Sequence, residues 1–144
     1  SEFLKIRRFA GSVLTGAAAP AKRAAMIEIT QQFGFDAAHY LEDAPAASNR
    51  RLHGHSFYAE VTLRGEPKAR EGWVRDFGDV NEVLGRIRDD LDHSLLNDID
   101  GLGAPTLENI AQYIFRRAKA AIPETCRVRL TRPSHGQACV YEEA

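Results

Sequence analysis

Residues 53–64, HGHSFYAEVTLR, alternate in character along their whole length. His53, His55, Phe57, Ala59, Val61 and Leu63 fall on one side of an extended chain; Gly54, Ser56, Tyr58, Glu60, Thr62 and Arg64 fall on the other. Successive side chains of a strand point to opposite faces, so a period of two with one apolar side predicts a half-buried strand of an antiparallel sheet. The segment upstream repeats the pattern. From Met26 the odd positions run Ile27, Ile29, Gln31, Phe33, Phe35, Ala37, His39, and the even ones Glu28, Thr30, Gln32, Gly34, Asp36, Ala38. Between the two, LEDAPAASNRR (41–51) collects Pro, Ser, Asn and charge, and reads as a loop that returns the chain antiparallel to itself.

Downstream of GEPKAREG (65–72) the period changes. Val80, Val83, Leu84, Ile87 and Leu91 recur at helical spacing, with Asp76 or Asp79 as the cap. LDHSLLNDIDGLGAP (91–105) ends that helix, and Thr106 caps a second one carrying Leu107, Ile110, Ala111, Ile114 and Ala118 on one stripe until Pro123 stops it. CRVRLTR (126–132) and QACVYE (137–142) read as two final strands around the turn PSHG. The order ββααββ predicts an α+β fold, an antiparallel sheet with both helices on one face.

Composition agrees with a single globular domain: 144 residues, 44 % hydrophobic and 27 % charged, supply enough apolar side chains for a core. No apolar run approaches the roughly 20 residues that span a bilayer. Two cysteines, Cys126 and Cys139, are too few for a disulfide framework, which makes a reducing, cytoplasmic setting the default. The net charge of −1 is unevenly divided. Residues 1–25 carry five basic residues against Glu2, whereas 26–144 carry 14 basic and 19 acidic residues. Residues 1–25 therefore read as an N-terminal extension or leader outside the fold, and 26–144 as the functional domain. No element of that domain clusters Lys and Arg as a nucleic-acid footprint would.

Residues two apart in a strand share a face, which sets His53 and His55 about 7 Å apart along the backbone. An antiparallel return through 41–51 brings His39 beside them. One histidine on an apolar face is ordinarily a packed core residue, and a β-bulge would turn any of the three away. Three convergent neutral imidazoles with a fourth position open, however, match the donor set of a catalytic zinc site.

The successive motifs FGFDAAHYL (33–41), RRLHGHSFYAEVTLRGE (50–66), GWVRDFGDV (72–80), LDHSLLND (91–98) and PTLENIAQYI (105–114) resemble those of the 6-pyruvoyltetrahydropterin synthase and 6-carboxytetrahydropterin synthase family, in order, across nearly all of residues 27–141. The resemblance implies the tunnelling fold, or T-fold. In it, trimers join four-stranded sheets into a twelve-stranded barrel and two trimers stack as a hexamer. It implies a homo-oligomer with Zn(2+) on His39, His53 and His55. It further implies a lyase acting on 7,8-dihydroneopterin triphosphate or a related pterin; the 6-carboxy enzymes of the family stand on the path to queuosine. The family's general base is a cysteine assisted by an Asp-His pair, which Asp92 and His93 match. A histidine oriented by a carboxylate exchanges a proton near neutral pH; the plainer alternative is a histidine at a helix C-terminus, where the dipole favours it.

Two departures limit the carry-over. Asn49 stands at the position of the family cysteine, and an amide is no base near neutral pH. In the last hairpin the family's pterin-anchoring glutamate is replaced by Thr131 or Pro133, depending on alignment. Glu108 matches a substrate-binding position, although a glutamate in the first turn of a helix is also explained by the dipole. His135 reads as a surface turn residue, and Arg50 and Arg51 as solvated charge. Three functions follow: a zinc-dependent carbon-oxygen or carbon-carbon lyase on a pterin; a same-fold paralogue with a changed substrate, using zinc and Asp92-His93 for another proton transfer or carbon-carbon cleavage; or a catalytically silent zinc-bearing oligomer that binds a ligand.

Overall fold

The computed structural model describes residues 25–143 together with Gly16; the expected 1–25 extension otherwise lies outside the described residues. The elements are β1 (Ile27–His39), α1 (Ala47–Arg50), β2 (His53–Gly65), α2 (Phe77–Leu91), α3 (Leu107–Ala121), β3 (Thr125–Arg132) and β4 (Gln137–Glu142), with 3-10 turns at Leu96–Asp98 and Pro133–His135. They form one four-stranded sheet in the order β1-β2-β3-β4, every neighbouring pair antiparallel. The α+β architecture expected from the alternation is the one observed.

Parity decides which side of the sheet is covered. Phe35 and Ala37 of β1, Phe57, Ala59, Val61 and Leu63 of β2, and Val128 and Leu130 of β3 are buried. They pack against Val80, Leu84, Ile87 and Leu91 of α2 and Leu107, Ile110, Ala111, Ile114, Phe115 and Ala118 of α3. The Thr106 hydroxyl accepts the Asn109 N–H at 3.2 Å, an N-cap of the kind worth about 1 kcal/mol. Asp76 holds the N-cap position of α2, but its carboxylate makes no capping hydrogen bond. The opposite face stays polar: Glu28, Thr30, Gln32, Asp36, Ser56 and Arg64 are exposed.

β1 and β2 pair without interruption from Ile27↔Gly65 to His39↔His53. The register shift in β2 falls at Thr62/Leu63, against β3, so no bulge disturbs the histidines.

Two features depart from the sequence reading. The 41–51 loop contains the single turn α1, because Arg50 Nη1 donates to the carbonyls of Ala44 and Pro45, each at 2.8 Å. Arg50 is thus a loop tie rather than free solvated charge. The 92–97 segment does more than end α2: it straps the outer edge of β1. His93 N–H donates to Asp36 O at 2.7 Å and Ala38 N–H to Ser94 O at 2.9 Å. The Asn97 side chain accepts from Tyr40 N–H at 3.0 Å and donates to Tyr40 O at 2.9 Å. An edge strand leaves alternate backbone groups without a ladder partner, and this strap satisfies them. No helix among the described residues is long and apolar enough to cross a membrane.

Candidate metal centre and its surroundings

His39, His53 and His55 converge at the end of the β1–β2 ladder, with ring centroids 4.5, 4.9 and 5.1 Å apart and ligand atoms all within 4.8 Å of one another. His39 is fully buried. Phe57, also fully buried, floors the cluster, its centroid 5.7 Å from His55 and 6.1 Å from His39.

The hydrogen bonds determine which ring nitrogens carry protons. A carbonyl oxygen only accepts, so His39 Nδ1–H donates to Pro105 O at 2.9 Å and His53 Nδ1–H donates to Arg51 O at 2.6 Å. Each ring therefore turns a lone pair on Nε2 inward, and the two Nε2 atoms face each other at 3.0 Å. Two bare lone pairs that close repel each other, and either a proton shared as an N–H···N hydrogen bond or a metal ion relieves the repulsion. Burial pushes His39 below the ordinary histidine range, against the pull of its Pro105 bond. Burial, and then the nearby Arg132 charge, bring His55 down to about 4. Both shifts favour the neutral form of His39 and His55, the form that ligates a metal. In a tetrahedral zinc site, bonds of about 2.05 Å set neighbouring nitrogens about 3.3 Å apart. The three donors, two of them already oriented by outer-shell carbonyls, fit zinc.

Asp92 and His93 are brought together elsewhere. Asp92 Oδ1 accepts the Asp36 N–H at 2.9 Å, while Oδ2 lies 3.3 Å from both Arg88 Nη2 and His93 Nδ1. The Asp36 N–H, with help from His93 and Arg88, holds the Asp92 carboxylate below its usual range against the opposing effect of burial. His93 has φ 56°, a left-handed conformation rare for a non-glycine residue, and its side chain is 82 % exposed. It stands outside the tri-histidine cluster, yet His93 and His55 line one groove of about 490 Å³ with Asp36, Ala38, Gly54 and Ser56.

The remaining expected residues are more scattered. Asn49 lies exposed in α1, where its backbone carbonyl accepts from Leu41 N–H at 2.9 Å. Glu108, in the first turn of α3, lines a separate cleft with Leu41, Arg132 and Gln137. His135 is exposed as expected of a turn, but the β3–β4 hairpin carries it onto the cluster, its ring edge-on to His55 at 4.7 Å. Arg132 was not singled out from the sequence. The signal was there: Val128, Leu130 and Arg132 share one parity, which puts a cation on the covered face. Burial raises both Cys126 and Cys139 above the usual thiol range, so neither is primed as a thiolate.

Residues 28–144 match the family model described as 6-pyruvoyl tetrahydropterin synthase. The chain is 36 % identical over 101 residues to the dihydroneopterin monophosphate aldolase of Pyrococcus furiosus, covering 70 % of this chain and 82 % of that protein. It is 38 % identical over 98 residues to the 6-carboxy-5,6,7,8-tetrahydropterin synthase of Synechocystis sp., covering 65 % and 75 %. Its fold superposes on Caenorhabditis elegans 6-pyruvoyl tetrahydropterin synthase with a TM-score of 0.74 at 24 % identity, covering 85 % of this chain and 99 % of that one.

Proposed function

The chain belongs to the 6-pyruvoyl tetrahydropterin synthase family, and from that membership and its residues we propose that it is a zinc-dependent lyase cleaving the side chain of a phosphorylated 7,8-dihydroneopterin. The observation that carries this reading is the pair of Nε2 lone pairs facing each other at 3.0 Å, with His55 as the third donor. Zinc bound there supplies a Lewis-acid face to the hydroxyl oxygens of the substrate side chain. His39, His53 and His55 hold it, and the carbonyls of Pro105 and Arg51 keep two of the rings aimed. Glu108 accepts the N–H donors of the pterin's amino-pyrimidinone edge, taking over from the carboxylate missing in the hairpin. His93, oriented by Asp92, accepts a proton from the substrate side chain and returns it after bond cleavage.

The residues favour carbon-carbon over carbon-oxygen cleavage. Eliminating triphosphate requires a base for a carbon-bound proton, and Asn49 offers none. In retro-aldol cleavage the proton leaves the C2′ hydroxyl for His93 and the C1′–C2′ bond breaks. Its electron pair passes into the ring C=N, and a proton is returned to C1′. A relative named as an aldolase supports that order of preference; the synthases among the relatives support the triphosphate as the second reading.

Zinc-loaded protein incubated with dihydroneopterin monophosphate, and separately with the triphosphate, tests both by chromatography of the products. The monophosphate is expected to give 6-hydroxymethyl-7,8-dihydropterin and glycolaldehyde phosphate. No turnover of either at full zinc occupancy would overturn the lyase and leave a ligand-binding oligomer. Glu108→Gln is expected to raise KM about tenfold or more, the worth of a charge-assisted hydrogen bond, with kcat little changed.

The same reading includes assembly. The polar face turned away from the helices suits the lumen of a barrel, and β1 and β4 are the edge strands of the sheet. Light scattering is expected to return three or six chain masses; a monomer at micromolar concentration would exclude the trimeric barrel.

A further inference from the structure

The three candidate ligands are not held alike. Pro105 O aims His39 and Arg51 O aims His53, whereas His55 makes no ring hydrogen bond among the described residues. What flanks His55 is aromatic. Phe57 stands 5.7 Å from it at 84°, and His135 stands 4.7 Å from it at 90°. The second contact is closer than those of His55 with its fellow ligands, 4.9 Å to His53 and 5.1 Å to His39. Perpendicular rings at such centroid distances attract each other edge to face.

His135 does not join the donor set itself. The ligand atoms that lie within 4.8 Å of one another are those of His39, His53 and His55, and among the described residues the His135 ring meets only that of His55. The hairpin nevertheless fixes where it stands. Gly136 N–H donates to Pro133 O at 3.0 Å and closes the Pro133–His135 turn, with Gly136 at φ 62°, a conformation that glycine adopts without steric cost. Arg132 Nε donates to Gln137 Oε1 at 3.1 Å across the neck of the hairpin, and Thr131 Oγ1 donates to Tyr58 O at 3.4 Å on β2. Ser134 Oγ lies 3.0 Å from His135 Nδ1. A ligand ring that is ordered only when the metal arrives loses rotamer freedom at that moment, which weakens binding; a ring already held does not.

We propose that His135 is the positioning residue of His55. Its ring does for the third imidazole what the Pro105 and Arg51 carbonyls do for the first two, and it makes the β3–β4 hairpin part of the metal centre. This role rests on the zinc reading of the cluster and is independent of what the substrate is.

The full chain, freed of metal and reloaded with Zn(2+) or Co(2+), tests it in wild type, His135→Ala and His135→Phe. Zinc affinity is read by chelator competition, the ligand field by the visible bands of the cobalt form, and the metal-free fold by urea unfolding. Loss of an outer-shell partner typically costs about 10–100-fold in metal affinity. His135→Ala is expected to bind zinc about tenfold more weakly and to alter the cobalt bands, with the unfolding midpoint unchanged because the side chain is exposed. His135→Phe keeps a flat ring and gives up both ring nitrogens; it is expected to restore affinity to within about twofold of wild type. A phenylalanine variant as weak as the alanine variant would assign the effect to a ring nitrogen and overturn the positioning role. Equal zinc affinity in all three proteins would overturn it too, as would a loss in His135→Ala matched by a lower unfolding midpoint. Wild type that takes up neither metal would remove the zinc reading together with this role; wild type that binds zinc independently of His135 would remove this role alone.

Discussion

His53→Ala is expected to strip the metal and, with it, turnover. In the proposed site His53 would supply one of three donors among the described residues, and its Nε2 lies 3.0 Å from that of His39. Losing an outer-shell partner of a ligand already costs about 10–100-fold in affinity; deleting the ligand itself is expected to exceed that in chelator competition, with activity at background. His53 is the better target than His39, whose full burial would mix loss of metal with a cavity in the core. The same site sets an acid limit. A protonated imidazole cannot ligate, and burial, then the Arg132 charge, bring His55 down to about 4, so zinc is expected to be released as the pH falls toward that value. Between the ordinary histidine value of about 6.5 and that lower one, the unfolded chain binds more protons than the folded chain. Stability of the metal-free protein therefore declines as pH falls through that window. Dialysis and urea unfolding at pH 7, 5.5 and 4 check both effects. Zinc lost already at pH 6.5, or full activity in His53→Ala, would defeat the metal-centred reading.

His93→Gln is expected to lower kcat about 10²- to 10⁴-fold while leaving zinc content intact, the contribution typical of a positioned proton carrier. Glutamine keeps a hydrogen-bonding group of similar reach and removes the proton transfer. The side chain is 82 % exposed and makes no core contact, so a large kinetic effect cannot be ascribed to unfolding. Asp92→Asn is a poorer probe, because Asp92 also accepts the Asp36 N–H that fixes the strap to β1. A kcat within threefold of wild type in His93→Gln, with zinc bound, would return His93 to the role of a helix-end residue.

The long strands, both helices and the Thr106 cap were legible because each is written in a local period or a local hydrogen-bond signature. The convergence of His39, His53 and His55 was legible for the same reason: parity within each strand and a short antiparallel return leave the three rings little choice of face. The third strand's contribution was not. Arg132 and His135 reach the centre through the β2–β3 pairing, which joins Tyr58 to Thr131 across two helices, and no local pattern announces that register. Helix α1 is four residues held by Arg50, too short for any period to show. The strap at 92–97 answers unpaired groups on β1, a demand set by the position of that strand in the sheet rather than by its own residues. The significance of Asn49 was visible only against the family pattern.

The strap also determines where a second polypeptide can attach. Asp36, Ala38 and Tyr40 have their outward backbone groups occupied by residues 92–97, and Arg88 Nε closes off Gly34 O at 2.9 Å. On that side of β1, among the described residues, Glu28 and Thr30 are left for an incoming strand, since Gln32 O already accepts from Gln31 Nε2 at 3.0 Å and Gly34 O is closed. A slip of one residue would exchange the two faces of such a strand, so this stop acts as a ruler for assembly. In the ring assembly proposed above it would set the register of the incoming strand, and it keeps Asp36, Ala38 and Tyr40 out of the open-ended strand pairing that builds fibres.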